Sequence, residues 1–240
     1  MKRFVVEGEK FVSEIPENWN VRYYAFSKSY FDANETERFR LRAPCSVVKD
    51  SYFENLSEYV TPQGILAVCD QKNYPLDEIL KPNAFLLLGE RLSDPGNIGT
   101  LIRTAAAAGA DGFILTEGSA EIYNPKIIRA SAGASMRLPV VAEIEMKNAV
   151  ERLKQNGVLI YASCVDGKTP PYEADFTAGF CLLIGNESRG LTDEAAAFAD
   201  NRIRIPMENG IDSLNAAVAG SILIYEAVRQ RKIINSLRNV

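Results

Sequence analysis

Apolar residues in the second two thirds of this chain fall into short unbroken runs instead of alternating with polar ones. Ala84-Phe85-Leu86-Leu87-Leu88, Gly112-Phe113-Ile114-Leu115, Val158-Leu159-Ile160-Tyr161-Ala162 and Phe180-Cys181-Leu182-Leu183-Ile184 read as strands covered on both faces, as in a parallel sheet. Between them, spacing predicts helices over 98–108, 149–156 and 193–199, and a long one over 213–232. That βα order predicts an α/β fold with helices on both faces of the sheet. The first 80 residues read as a smaller α/β unit. Phe4-Val5-Val6, Val21-Arg22-Tyr23-Tyr24-Ala25-Phe26 and Gly64-Ile65-Leu66-Ala67-Val68-Cys69 are its strands, and a helix is entered at 7–12. Gln71-Lys72-Asn73-Tyr74-Pro75 and Lys81-Pro82-Asn83 break the pattern, which divides the chain into domains 1–80 and 81–240.

Composition narrows the chemistry. The 240 residues contain no histidine, so Ser-His-Asp and Cys-His catalysis are excluded and the commonest transition-metal ligand is missing; no metal site is expected. The four cysteines, Cys45, Cys69, Cys164 and Cys181, form no C-x-x-C pair and read as reduced thiols of a cytoplasmic protein. No run approaches the roughly 20 apolar residues of a membrane helix, and no signal-type N-terminus is expected. A net charge of −4 argues against broad coating of nucleic acid, although Arg38-Arg40-Arg42 and Arg229-Arg231-Lys232 could each form a local basic face or a solvated one.

Three loops at predicted strand ends, where open parallel sheets bind ligands, concentrate the remaining chemistry. In the first, Pro95-Gly96 makes a tight turn and Asn97 caps the next helix, with Arg103 expected to face the same way as Asn97, Gly99 and Thr100. In the second, Gly185-Asn186-Glu187-Ser188-Arg189-Gly190 follows the most apolar strand, and Thr192 is placed to cap a helix. The third, Ile205-Pro206-Met207 to Ser213-Leu214-Asn215, opens the long helix, with Asp212 or Ser213 as its cap. Ala216-Ala217-Val218-Ala219-Gly220-Ser221 then offers a small-residue face for close packing within the subunit or across a dimer. No dinucleotide or P-loop fingerprint is present.

In order and spacing these loops resemble the three motifs of the SpoU (TrmH-type) RNA ribose 2′-O-methyltransferases: N-x-G-x-x-x-R, G-N-E-x-x-G, and I-P-M followed by S-L-N. The N-terminal segment, through Phe4-Val5-Val6-Glu7-Gly8 and Thr61-Pro62-Gln63-Gly64-Ile65-Leu66-Ala67, resembles the ribosomal-protein-like RNA-binding domain that often precedes that catalytic domain. The resemblance implies a parallel sheet with a C-terminal trefoil knot, a homodimer formed through the knot region, and S-adenosylmethionine (AdoMet) as cofactor. It places cofactor contacts on Gly185, Ile205 and Leu214, and active-site polar groups on Asn97, Arg103, Glu187, Ser213 and Asn215. The family usually has glycine where this chain has Asn209, with Gly210 one place later. Arginine is a permanent cation, so Arg103 suits a phosphate clamp and alkoxide stabiliser better than a base, and Glu187 suits an orienting role. The two-domain layout implies rRNA as substrate ahead of tRNA. A degenerate RNA-binding protein of ribosome assembly is the competing reading.

Overall fold

The computed structural model describes residues 2–40 and 42–238, with side chains described to 233. The N-terminal part runs β1 (Arg3–Glu7), α1 (Glu9–Ser13), β2 (Val21–Ser27), α2 (Lys28–Ala33), α3 (Glu37–Arg40), β3 (Cys45–Val48), α4 (Asp50–Leu56) and β4 (Ile65–Asp70). Its four strands form a sheet in the order β1-β4-β2-β3, in which β4 is antiparallel to both neighbours and β2 and β3 are parallel.

The remainder runs β5 (Phe85–Gly89), α5 (Pro95–Ala107), β6 (Gly112–Thr116), α6 (Pro125–Ala130), β7 (Val140–Ile144), α7 (Met146–Gln155), β8 (Leu159–Ser163), β9 (Phe180–Ile184), α8 (Asp193–Ala197), β10 (Asn201–Ile203) and α9 (Ala216–Arg238). Its six strands are all parallel, in the order β10-β8-β9-β5-β6-β7. Every residue of β5, β6 and β9 is buried, which is why their sequences are unbroken apolar runs. Phe85 and Leu87 join a core with Ile98, Leu101, Ile102, Leu223 and Ile224, so α5 and α9 cover one face. Leu86 and Leu88 join Ala149, Val150, Leu153 and Ala195, so α7 and α8 cover the other.

The small-residue stretch of α9 serves packing inside the subunit at Gly220. A Cβ there would stand 2.5 Å from Leu101 Cδ2 and 2.7 Å from Ile184 Cδ1, so glycine lets α9 approach α5 and β9 without those side-chain ends having to move. The two sheets share one apolar core. Trp19, 2% exposed, donates its indole N–H to Met136 O at 2.8 Å, and the rings of Phe4 and Tyr123 pack at 4.6 Å. Tyr123 Oη also accepts from Lys72 N (2.9 Å) and donates to Lys72 O (2.5 Å), and burial pushes its phenol up to about 12.

Each basic cluster gives one arginine to the fold. Arg42 donates to the carbonyls of Ile15, Pro16 and Trp19, and Arg231 to those of Phe176, Ala178 and Asn83, while Arg229 pairs with Glu226. Arg42 and Arg231 thus tie loops down through backbone acceptors, while Arg38, Arg40, Arg229 and Lys232 stay exposed. All four cysteines are free thiols; Cys69 and Cys181 are buried, and burial pushes the Cys69 thiol up to about 12. Among the described residues, no helix is long and apolar enough to cross a membrane.

Candidate active site

The loops after β5 and β9 lie side by side at the carboxyl edge of the large sheet because their strands are paired, with Gly89 opposite Ile184. They are laced together by side chains from both. Glu90 N donates to Ile184 O at 2.9 Å, and the buried Glu90 carboxylate accepts from both Thr192 N (2.9 Å) and Thr192 Oγ1 (2.7 Å). Asn186 donates to Arg91 O at 2.8 Å, while its own carbonyl and N–H close the loop against Gly190 at 2.9 and 3.0 Å.

Glu187 is the hub of this lacing. One carboxylate oxygen accepts from Ser93 N (3.3 Å) and Ser93 Oγ (3.1 Å), and the other from Asp94 N (3.2 Å) and Asn97 Nδ2 (3.2 Å). Burial works against its charge. Hydrogen bonds from its own backbone N–H, Asn97, Ser93 and Asp94 outweigh that cost and hold the carboxyl below its ordinary value. A carboxylate so engaged is a poor proton acceptor and a good brace. Asn97 Oδ1 in turn accepts from Asn215 Nδ2 at 2.9 Å, which adds the third loop to the cluster.

Helix capping differs from the sequence expectation at two of three places. The α5 cap is Asp94, whose Oδ1 accepts from Asn97 N at 2.7 Å; Pro95 and Gly96 form the first turn of the helix instead of a tight turn before it. The Asp-Pro pair is the usual cap-and-N1 signature, and it frees the Asn97 side chain for the site. The α9 cap is Asn215, whose Oδ1 accepts from Ala217 N (2.9 Å) and Val218 N (3.2 Å), so the helix starts at Ala216 and leaves Asp212 and Ser213 in the loop. Thr192 caps α8 as expected, accepting from Ala195 N at 3.1 Å.

Gly185, Glu187, Ile205, Ser213 and Leu214 line one cavity of ≈ 310 Å³ together with Cys164 and Met207. At Gly185 a Cβ would stand 2.3 Å from Gly190 C and Leu191 N, so the chain crosses itself there with no room for a side chain. Asn209 has φ 55° and Gly210 φ 70°. Asparagine tolerates this left-handed conformation better than other non-glycine residues, so the turn keeps its path without glycine at 209.

Arg103 stands apart from this cluster. It is exposed on α5 while Asn97 and Gly99 are buried. Six residues at about 100° each leave Asn97 and Arg103 about 120° apart around the helix, so they do not face the same way. Its neighbour Thr104 meets Ser221 of α9 at 3.2 Å, which puts Arg103 near the α5–α9 seam. The structure therefore joins Asn97, Glu187 and Asn215 directly, and Gly185, Ile205, Ser213 and Leu214 around the cavity with Glu187 between the two groups. Ser93, Asp94 and Asn186 belong to the same site. Asp94 was readable from Asp-Pro, whereas the buried Glu90 carries no local signal.

A cavity framed by loops at the carboxyl ends of β9 and β5, where the strand order reverses, lies where open parallel sheets take ligands. Residues 84–225 match the model of the SpoU rRNA Methylase family, and residues 1–67 match that of the MRM3-like substrate binding domain. The chain belongs to the SpoU rRNA methylase family. It is 32% identical over 225 residues to the 23S rRNA (guanosine(2553)-2′-O)-methyltransferase RlmP of Bacillus subtilis, covering 92% of this chain and 87% of that one. It is 39% identical over 176 residues to the 23S rRNA (uridine(2479)-2′-O)-methyltransferase of Streptomyces viridochromogenes, covering 71% of this chain and 61% of that one. Among solved structures it resembles the SpoU methyltransferase AviRb from Streptomyces viridochromogenes in complex with the cofactor AdoMet. The TM-score is 0.87 at 32% identity, over 96% of this chain and 91% of that one.

Proposed function

We propose that this protein transfers a methyl group from AdoMet to a ribose 2′-hydroxyl of RNA, with 23S rRNA as substrate. The observation that carries the reading is that residues of the second and third motifs line one cavity while Asn97 of the first is bonded to Glu187 and Asn215 beside it. The two relatives named for 23S rRNA 2′-O-methylation and the AdoMet-bound neighbour support it. AdoMet suits the cavity because the loops carrying Gly185, Ile205 and Leu214 can offer backbone N–H and C=O groups to a polar cofactor. When bound, it supplies an electrophilic sulfonium methyl.

The protein's own groups then have separate tasks. Gly185, Ile205 and Leu214 hold the cofactor, and Ser213 lies in the same wall. Glu187 braces the loops carrying Ser93, Asp94 and Asn97, and Asn215 fixes Asn97 from the third loop. Positioning of this kind supplies much of the rate gain in a transfer between two bound groups. Arg103 clamps phosphate and stabilises the developing alkoxide with its planar donor fork.

Domains 1–80 and 81–240 are assigned as the RNA substrate-binding domain and the methyltransferase domain. The chain after β10 is threaded as a trefoil knot. Gly167 supports this, because a Cβ there would meet Ile203 C at 2.6 Å and Arg204 N at 2.8 Å, and Arg204 N donates to Thr169 O at 3.0 Å. A homodimer forms through the apolar stripe of α9 made by Val218, Ile222 and Tyr225, which are 48%, 41% and 54% exposed. Four free thiols and an rRNA substrate support a cytoplasmic location.

The test is the chemistry of the product. RNA methylated by the protein is digested with alkali, which cleaves only where a 2′-hydroxyl is free. Label retained in an alkali-resistant dinucleotide is expected; label released entirely in mononucleotides assigns base methylation and overturns the proposal.

A further inference from the structure

A second cavity, of ≈ 820 Å³, lies between the N-terminal segment and the ends of β6 and β7. Its size falls within the roughly 300–1,000 Å³ of small-ligand sites, and it borders the carboxyl ends of β6 and β7. One wall comes from Lys2 and the linker residues Gln71, Lys72 and Tyr74, and the other from Thr116, Ser119 and Glu143. Two irregularities border it. Ile114 pairs with Val141 and Thr116 with Ile144, so Ala142 and Glu143 both stand opposite Leu115 in a bulge. Glu143 takes φ 56° there, a conformation that strains any residue with a Cβ and that persists where surroundings or function demand it. The Ser119 hydroxyl, in the facing turn, is sealed from solvent and makes no hydrogen bond.

This turn is wired to the methyl-transfer site. Thr116 Oγ1 accepts from Arg91 N at 2.9 Å and Ala120 N donates to Leu92 O at 2.8 Å, three and two residues before Asp94. The charges of the crevice are mixed: Lys2 and Lys72 oppose Glu78, Glu121 and Glu143. That is unsuited to a phosphate track and suited to one nucleotide, whose phosphate meets ammonium and whose base presents N–H donors to carboxylate. Guanine fits best because two of its donors lie side by side.

We propose that this interdomain crevice holds one nucleotide of the substrate RNA beside the methylated position, and that Glu143 reads its base. The inference rests on the RNA methyltransferase reading. The test compares wild type, Glu143→Gly and Ala142→Trp, using a 23S rRNA transcript, AdoMet calorimetry, thermal melting and filter binding. Glycine relieves the positive φ, so Glu143→Gly is expected to melt no lower than wild type and to bind AdoMet unchanged. Its RNA KM is expected to rise about tenfold, or about 1.4 kcal/mol, with kcat within twofold. Ala142→Trp, which blocks the mouth, is expected to do the same. An RNA KM within twofold of wild type in both variants overturns the assignment. If wild type methylates no RNA, the methyltransferase reading fails separately, and an unchanged RNA Kd by filter binding in both variants still overturns the crevice. Saturable binding of free GMP that is lost in Glu143→Gly, with RNA KM unchanged, assigns the crevice to a free nucleotide and likewise overturns the RNA assignment.

Discussion

Replacing Glu187 by glutamine keeps the size of the brace and removes half of its function. The carboxylate accepts from two donors at each oxygen: Ser93 N and Oγ at one, Asp94 N and Asn97 Nδ2 at the other. Glutamine presents an acceptor to one pair and an NH₂ to the other, so a backbone N–H on one side loses its partner. A hydrogen bond to a charged group contributes about 1.5–3 kcal/mol, and the half-buried setting and the amide's surviving bonds put the net loss near 2 kcal/mol. If that loss falls on loop geometry in the transition state, kcat/KM drops about 30-fold. Initial-rate assays over AdoMet and RNA concentrations read it directly. The pH dependence has a fixed sign. Because the folded carboxyl lies below its ordinary value of 4.5, its stabilisation is complete above that value and is lost as pH falls through the lower folded value. The stability gap between wild type and Glu187→Gln should therefore be constant near neutrality and close in acid. Wild-type activity in the variant, or a gap unchanged at about pH 3, refutes the brace.

Three further outcomes follow from the packing. Gly185→Ala forces a Cβ to within 2.3 Å of Gly190 C and Leu191 N, so calorimetry should detect no AdoMet binding while circular dichroism stays that of wild type. Trp19→Phe removes the 2.8 Å bond to Met136 O that ties the two sheets, at about 1–3 kcal/mol, and should lower Tm by several degrees in a scan. Ile222→Glu puts a charge in the exposed α9 stripe and should convert a dimer to a monomer in sedimentation, with the monomer folded.

Four strands of the large sheet, β5, β6, β8 and β9, were plain in the sequence because burial leaves mostly apolar residues, as in Phe180-Cys181-Leu182-Leu183-Ile184. β3 and β7 gave no such signal. Cys45–Val48 is half-buried, and Val140–Ile144 turns polar at the bulge where Ala142 and Glu143 are exposed. β10 has three residues, two of them exposed, too few to show a period. The site residues were legible as ordered motifs, yet their partners were not. Whether Asn97 or Asp94 caps α5 depends on which side chain the Glu187 loop claims, a contact across 90 residues. Arg103 lies on the side of Thr100, three positions back, but not on that of Asn97, because six positions along a helix do not return to the same face. Nor did the sequence reveal that one arginine of each basic cluster is engaged by the fold: carbonyls at 15, 16 and 19, and at 83, 176 and 178, take the Arg42 and Arg231 guanidinium groups.

The most direct test of the central claim is transfer of labelled methyl from AdoMet to bulk rRNA and, separately, to bulk tRNA, with Arg103→Ala as control. Arg103 is exposed and forms no ion pair among the described residues, so the control should keep the wild-type Tm and AdoMet affinity. The account predicts alkali-resistant label in rRNA from wild type and almost none from Arg103→Ala. Label confined to tRNA contradicts the substrate assignment. Equal label from the two proteins contradicts the role of Arg103, and no label in either RNA from a protein that binds AdoMet contradicts methyl transfer to free RNA.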